Sequence, residues 1–118
     1  MFTETLKKMV DNVDGGIAAV IMGLDGIPVD HYVRVNDRVD IVTVGMEFSF
    51  ILTQIRKAAD SLQVGGFEEL SVRAERLWVV VRMLSPQYFV GVVMAPEGNY
   101  GKCRYLMRLG APALISNL

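Results

Sequence analysis

Side chains that could do chemistry are few in this 118-residue sequence, and they do not cluster. It contains one histidine, His31, and one cysteine, Cys103. The two belong to different predicted elements, and nothing near either residue in the sequence would activate it. General acid–base and nucleophilic catalysis both need a reactive group next to a partner that activates it. Two such residues are too few for a zinc site, and the carboxylates lack calcium-loop spacing. We therefore expect no catalytic residue, no metal and no enzymatic activity.

A glycine-rich stretch before the last predicted helix is the segment most similar to a phosphate-binding loop. Residues 96–103 contain Gly101-Lys102 at the start of a predicted helix, where such a loop has its Gly-Lys pair. However, Pro96 stands where the first loop glycine would be, and Cys103 replaces the hydroxyl residue that would hold Mg²⁺. A strand-to-helix turn with Asn99 as the N-cap explains the stretch better. We expect no bound nucleotide or other cofactor.

The composition limits the class of partner. The 12 Lys and Arg residues against 13 Asp and Glu residues give a net charge of -1, which provides no excess to neutralise nucleic acid. Hydrophobic residues make up 52% of the chain, a fraction that favours a partner-covered surface. The most apolar run, Gly16–Leu24, is far shorter than the roughly 20 residues of a membrane-spanning helix. A lone cysteine and no signal segment favour a cytoplasmic protein of one domain over 1–118, without membrane insertion.

The hydrophobic periodicity predicts the element order α-β-β-α-β-β-β-α, an α/β (α+β) fold. Apolar residues at three- and four-residue steps predict a helix over Phe2–Val13, and the unbroken apolar run Ile17–Met22 predicts a strand buried on both faces. Asp25-Gly26 then predicts a tight turn into a return strand. The remaining predicted elements are the return strand Pro28–Val33, a long helix Asp40–Gln63, strands Glu69–Ala74, Leu77–Leu84 and Tyr88–Ala95, and a last helix from Asn99 that Gly110 and Pro112 should kink or interrupt.

The long helix has two apolar faces. The face predicted to cover a sheet consists of Ile41, Val44, Phe48, Ile51, Leu52, Ile55, Ala59 and Leu62. Val39, Met46 and Phe50 lie on the opposite side, where a monomer would leave them in water. These three residues are therefore predicted to be part of a homodimer interface.

The turn Leu24-Asp25-Gly26-Ile27 is a candidate partner-binding site. Residues that flank a two-residue hairpin turn are usually polar, but Leu24 and Ile27 are apolar and surround the acidic Asp25. Such a group can anchor a partner through buried area and a charge-assisted hydrogen bond. The alternative is that Leu24 and Ile27 fold back beneath the terminal helices and Asp25 only stabilises the turn.

The element order, together with several short stretches, resembles the Roadblock/dynein light-chain family over nearly the whole chain. The resemblance is closest to the bacterial branch that accompanies Ras-like GTPases in cell polarity and gliding motility, and within it to MglC-like paralogues of the GTPase activator MglB. The stretches that carry the resemblance are Val13–Gly16, Val20–Ile27, Leu52–Arg56 and Gly98–Tyr105.

The resemblance implies a Roadblock-type five-stranded antiparallel sheet, covered by the long helix on one face and the terminal helices on the other. The first and last strands would be central and the Glu69–Ala74 strand would lie at an edge. Family members dimerise by pairing that edge and packing their long helices together, which adds Glu69, Ser71 and Arg73 to the predicted dimer interface.

The function that follows is a non-catalytic dimeric adaptor that binds a Roadblock paralogue of the MglB type and modulates a Ras-like GTPase. A protein that stimulates the GTPase directly is the alternative. A small-ligand sensor or an enzyme is a remote third possibility, because the sequence lacks a catalytic cluster and its loops are short.

Overall fold

Three helices and five strands occur in residues 2–35 and 39–118, which the computed structural model describes. They are α1 (Phe2–Asp11), β1 (Gly16–Gly23), β2 (Pro28–Val33), α2 (Ile41–Leu62), β3 (Glu69–Arg73), β4 (Trp78–Met83), β5 (Tyr88–Met94) and α3 (Tyr100–Ile115). The predicted order is confirmed, and the predicted boundaries agree to within about two residues, the usual scatter at element ends.

The five strands form one antiparallel sheet in the order β2-β1-β5-β4-β3. β1 and β5 pair with each other inside the sheet, and β3 lies at an edge, as the family resemblance implies. Every residue of β1 is buried, which confirms the prediction that its unbroken apolar run is covered on both faces. Pro28 begins the other edge strand, β2, where a missing N–H is tolerated.

The terminal helices α1 and α3 cover one face of the sheet. Leu6, Met9 and Val10 of α1 are buried together with Cys103 and Met107 of α3. They pack against the side chains of β1, β4 and β5 that point to this face, which are Ala19, Ile21, Val80, Val90, Val92 and Met94. The apolar side of the amphipathic pattern in α1 is therefore the side that packs against the sheet and α3.

The long helix α2 covers the opposite face and lies over β1 and β2. It begins at the N-cap Asp40, whose carboxylate accepts hydrogen bonds from the backbone N–H groups of Val42 at 3.2 Å and Thr43 at 3.3 Å. These bonds hold the pKa of Asp40 below its usual value, with the bond from Thr43 the larger cause. The helix ends at Gln63, which adopts the left-handed conformation with φ 56°.

The buried stripe of α2 differs from the predicted one. The buried residues are Ile41, Gly45, Ser49, Leu52 and Ala59. Of the other residues predicted to face the sheet, Val44, Phe48 and Ile55 are half-buried, and Ile51 and Leu62 are exposed. A side chain at Gly45 would bring its Cβ to 2.8 Å from Cε of Met22. Because Gly45 and Ser49 are small, the helix approaches β1 along this line, a contact that a pattern of apolar residues does not reveal.

The last helix, α3, is not interrupted. It runs without a break through Gly110 and Pro112 to Ile115, so of the predicted kink or interruption, the interruption is wrong. Gly110 is a packing position, since a Cβ there would lie 2.5 Å from Cε of Met9 in α1. Pro112 lies in the last turn of the helix and lacks the N–H that would donate to the carbonyl of Arg108, yet the helix continues for three more residues. Across the described part of the chain, none of the helices combines the length and apolarity needed to cross a membrane.

Candidate protein-binding surfaces

The turn between β1 and β2 is tightly hydrogen-bonded. The backbone N–H of Gly26 donates to the carbonyl of Gly23 at 2.9 Å, and the N–H of Gly23 donates to the carbonyl of Ile27 at 3.0 Å. The Asp25 carboxylate accepts a hydrogen bond of 3.1 Å from the N–H of Ile27, which is an Asx turn. Gly26 has φ +84°, a conformation that side chains rarely adopt. The sequence of this turn therefore determines its shape.

The three residues predicted to bind a partner differ in their burial. Ile27 is 63% exposed and Asp25 is exposed, whereas Leu24 is half-buried against the core beneath α2. Neither apolar side chain folds beneath the terminal helices. Asp25 stabilises the turn through its hydrogen bond with the N–H of Ile27, as the structural alternative expected. Its carboxylate nevertheless remains on the surface beside Ile27.

A cleft of about 340 Å³ opens next to this turn. Gly23, Leu24 and Asp25 line one side of it, and Arg56, Gln87 and Tyr88 line the other. The Arg56 guanidinium, which reaches the cleft from α2, donates a hydrogen bond to the carbonyl oxygen of Pro86. Sequence reasoning missed Arg56 and Gln87 as neighbours of the turn, because these contacts join segments far apart in the chain. The geometry places a fixed cation beside the acidic turn.

The solvent side of α2 presents two of the three apolar residues predicted there. Phe50 is 70% exposed and Met46 is 47% exposed. The prediction that Val39 is exposed on this side was wrong, because Val39 is half-buried and packs against the core beneath α2. It precedes the N-cap, so the helical periodicity that placed it beside Met46 and Phe50 does not apply to it.

The edge strand β3 places its residues on two faces. Glu69, Ser71 and Arg73 point to the α3 side, where Ser71 accepts a hydrogen bond from Nε1 of Trp78 at 2.7 Å. Leu70 contacts the core on the α2 side, and Val72 on that side is 40% exposed. In residues 2–35 and 39–118, no strand pairs with the outer edge of β3. The edge can therefore accept another strand.

The residues considered for chemistry lie apart from one another. His31 is exposed on β2, whereas Cys103 is fully buried in α3 with its Sγ 3.8 Å from Sδ of Met107. Burial raises the pKa of the Cys103 thiol to about 12, so the nucleophilic thiolate is scarcely formed at neutral pH. Asn99 accepts a hydrogen bond from the N–H of Lys102 at 3.1 Å, which confirms it as the N-cap of α3. No three acidic, His or Cys side chains within the described ranges could hold a metal ion together.

Several solved structures share this architecture. MglC from Myxococcus xanthus is 36% identical over 98% of this chain and 97% of its own, with a TM-score of 0.70. The Roadblock/LC7 domain from Streptomyces avermitilis is 15% identical over 97% of this chain and 94% of its own, with a TM-score of 0.85. The gliding protein MglB from Thermus thermophilus is 16% identical over 96% of this chain and 84% of its own, with a TM-score of 0.84. No protein-family model and no curated protein matches the sequence.

Proposed function

Because this chain belongs to the Roadblock family as a protein close to MglC, we propose that it is a non-catalytic, dimeric adaptor of the Mgl system. In this proposal two copies pair through β3 and α2, and the dimer binds a Roadblock paralogue of the MglB type. Through that paralogue it modulates a Ras-like GTPase. The observation that carries the proposal is a pair of exposed apolar side chains, Met46 and Phe50, together with the outer edge of β3, which no strand in the described ranges covers.

The apolar side of α2 supports the self-association. A phenylalanine that is 70% exposed leaves most of its ring in water, and burying it against a second copy is favourable. Ile51 and Val72, each 40% exposed, are further apolar side chains on the same side of the sheet. A stable dimer interface buries roughly 1,200–2,000 Å² in total, so we expect the dimer to use the apolar side chains of α2 as well as the paired edge strand.

The sequence of β3 is complementary to itself. In an antiparallel pairing of two copies centred on Ser71, Glu69 of one copy faces Arg73 of the other, and Leu70 faces Val72. Opposite charges are then paired at both ends, on the same face of the joined sheet, and each such cross-strand pair stabilises by roughly 0.2–1 kcal/mol. A shift of one residue would lose the charge pairs and alter which faces the side chains occupy. We therefore propose this register for the dimer.

The turn and the cleft beside it are the proposed site for the paralogue. Ile27 offers exposed apolar area, and Asp25 and Arg56 offer opposite charges. A partner segment with an apolar side chain and a cation would satisfy Ile27 and Asp25, and an acceptor would satisfy the hydrogen-bond donors of Arg56. The site lies at the end of the hairpin rather than on β3, so it stays open when two copies pair through their edges.

A turnover experiment tests the role of the dimer. The GTP hydrolysis rate of a cognate Ras-like GTPase would be measured alone, with this protein, with the MglB-type paralogue, and with both. We expect no change in rate with this protein alone and a changed rate when it is added to the paralogue. Stimulation by this protein alone would favour a direct GTPase activator. No effect in any combination, together with no binding to the paralogue, would contradict the adaptor proposal.

A further inference from the structure

The α3 side of the sheet is strongly cationic near β3. Helix α3 contains Lys102, Arg104 and Arg108, and residues 100–118 contain no aspartate or glutamate. The neighbouring strands add Arg73 from β3 and Arg82 from β4. We define Arg73, Trp78, Arg82, Tyr100, Arg104 and Arg108 as the arginine–aromatic face. Because the whole chain carries a net charge of -1, this concentration of positive charge is local.

Aromatic rings hold the guanidinium groups of this face in place. Trp78 and Tyr100 are stacked, with centroids 4.6 Å apart and ring planes 12° from parallel. The Arg73 guanidinium lies 4.7 Å from the Trp78 centroid, and that of Arg104 lies 5.7 Å from the Tyr100 centroid. Arg108 lies 5.7 Å from the ring centroid of Tyr105. Cation–π contacts restrain these side chains before any partner arrives, which reduces the entropy lost on binding.

The carboxylate of Glu69 already forms ion pairs with two arginines of this face. Glu69 places Oε1 2.5 Å from Nη2 of Arg104 and Oε2 3.5 Å from Nη1 of Arg82. Arg73 and Arg108 have no ion-pair partner within the described ranges of the chain. A hollow of about 110 Å³ lies next to Glu69 and is lined by Arg82, Arg104 and Arg108. The face therefore has unused capacity for carboxylates.

We propose that the arginine–aromatic face binds an acidic polypeptide segment of a partner protein. Planar guanidinium groups match carboxylates through paired hydrogen bonds, and fixed groups select for such directional contacts. An anionic membrane is a poorer fit, because Trp78 and Tyr100 are half-buried against each other and the Glu69 carboxylate would face the lipid phosphates. The face lies across the sheet from α2, so the helix contacts of the proposed dimer leave Arg104 and Arg108 open. Arg73 and Glu69, in contrast, also belong to the proposed β3 pairing, so the test relies on Arg104 and Arg108.

A binding experiment with a defined acidic probe tests this proposal. A fluorescein-labelled deca-glutamate peptide would be titrated with the whole chain at low and moderate salt, with deca-lysine as the control peptide. We expect binding of deca-glutamate only, weakened by salt. The double substitution Arg104→Glu with Arg108→Glu should weaken binding roughly tenfold or more. Lys8→Glu with Lys57→Glu changes the net charge equally at exposed positions elsewhere and should leave binding within about twofold.

One further variant and one further probe keep the result interpretable. Arg104→Glu removes an ion pair with Glu69, so the single substitution Arg108→Glu, which breaks none among the described residues, should also weaken binding in a chain with an unchanged melting temperature. Vesicles containing phosphatidylserine test the membrane alternative. Failure to bind deca-glutamate, equal losses in the control variant, or tighter binding to the vesicles than to the peptide would each overturn the proposal.

Discussion

Ser71, the middle residue of β3, accepts a 2.7 Å hydrogen bond from Nε1 of Trp78, which fastens the centre of the edge strand to β4. This side-chain bond adds to the antiparallel ladder in which Glu69 to Arg73 of β3 pair with Arg82 to Trp78 of β4. A second copy that pairs with this edge meets Glu69 and Arg73 at equal distances on either side of Ser71. The proposed dimer register rests on this symmetry.

A charge exchange tests that register. Arg73→Glu would set a glutamate opposite Glu69 of the second copy, so it should weaken the dimer, and Glu69→Arg should do the same through two facing cations. The double variant Glu69→Arg with Arg73→Glu restores both pairs and should recover most of the affinity. The dimer dissociation constant from sedimentation equilibrium measures this. Because each pair stabilises by roughly 0.2–1 kcal/mol, the single variants should weaken the dimer by about 2-fold to 30-fold.

A second effect separates the two single variants. Glu69 also pairs with Arg82 and Arg104 within its own chain, so Glu69→Arg should lower the melting temperature more than Arg73→Glu does. If the double variant had a dimer dissociation constant no lower than that of the single variant with the weaker dimer, the proposed register would be wrong. This would hold even if the unmodified chain is a dimer.

Phe50→Asp tests the contribution of α2 to the dimer. The substitution places a charge where the proposed interface buries an aromatic ring, so we expect a monomer with an unchanged helix content by circular dichroism. Lys8→Asp, at an exposed position of α1 on the other side of the sheet, is the control and should leave the dimer intact. Light scattering after gel filtration distinguishes the two. A Phe50→Asp protein that remains a dimer would remove α2 from the interface.

Local patterns in the sequence were enough to predict the elements of the fold. The burial of β1 followed from its apolar run, and the N-caps and turn glycines gave most of the boundaries. The rotation of α2 was missed because Gly45 and Ser49 are not apolar, although their small size decides how closely the helix approaches β1. Val39 was misplaced because helical periodicity was extended past the N-cap Asp40.

The surfaces were predictable only where neighbours in the sequence form them. Asp25 and Ile27 belong to one turn and could be identified together, whereas Arg56 reaches the same cleft from α2. The arginine–aromatic face joins β3, β4 and α3, and the stacking of Trp78 on Tyr100 depends on tertiary packing. Hydrophobic periodicity carries no information about such contacts.

Gly16→Ala should destabilise the fold. A Cβ at this position would lie 2.1 Å from the carbonyl oxygen of Val10, a backbone atom that cannot move without disturbing α1. We expect a loss of roughly 1–3 kcal/mol in the free energy of unfolding, measured by urea denaturation. Gly66→Ala is the control, because nothing lies within 4 Å of its would-be Cβ, and it should change stability little. Equal effects of the two substitutions would contradict the tight packing at Gly16.

Cys103 should resist alkylation in the folded protein. Its side chain is fully buried and burial raises the pKa of the thiol to about 12, so iodoacetamide at pH 8 should label it only as fast as the chain opens. Urea should accelerate the labelling, and mass spectrometry would measure its rate. Rapid labelling of the folded chain would show that Cys103 is accessible.

Because the pKa of the Cys103 thiol is raised in the folded protein, the neutral thiol contributes to the free energy of unfolding below about pH 9, and this contribution is lost as the pH rises toward 12. In Cys103→Ala, the free energy of unfolding should lack this part of its pH dependence.

The last prediction concerns the turn as a binding site. Replacing Leu24, Asp25 and Ile27 together by Ala should abolish capture of the MglB-type paralogue while the dimer persists. Because Leu24 is half-buried, we expect a modest fall in melting temperature, and Ile27→Ala alone should weaken capture without it. Glu75→Ala with Arg76→Ala, in the exposed β3–β4 turn, is the control and should bind normally.

The charge and the shape of the turn can be tested separately. Asp25→Asn keeps an acceptor for the N–H of Ile27 but removes the negative charge, and Arg56→Ala removes the cation from the other side of the cleft. If the turn binds the paralogue through its charge, Asp25→Asn should weaken capture in a protein that melts normally, and calorimetric titration with the purified paralogue would measure the loss. Undiminished binding by Asp25→Asn, Arg56→Ala and the triple variant would leave the turn with a structural role alone, because every side chain proposed to contact the partner would then have been removed without effect.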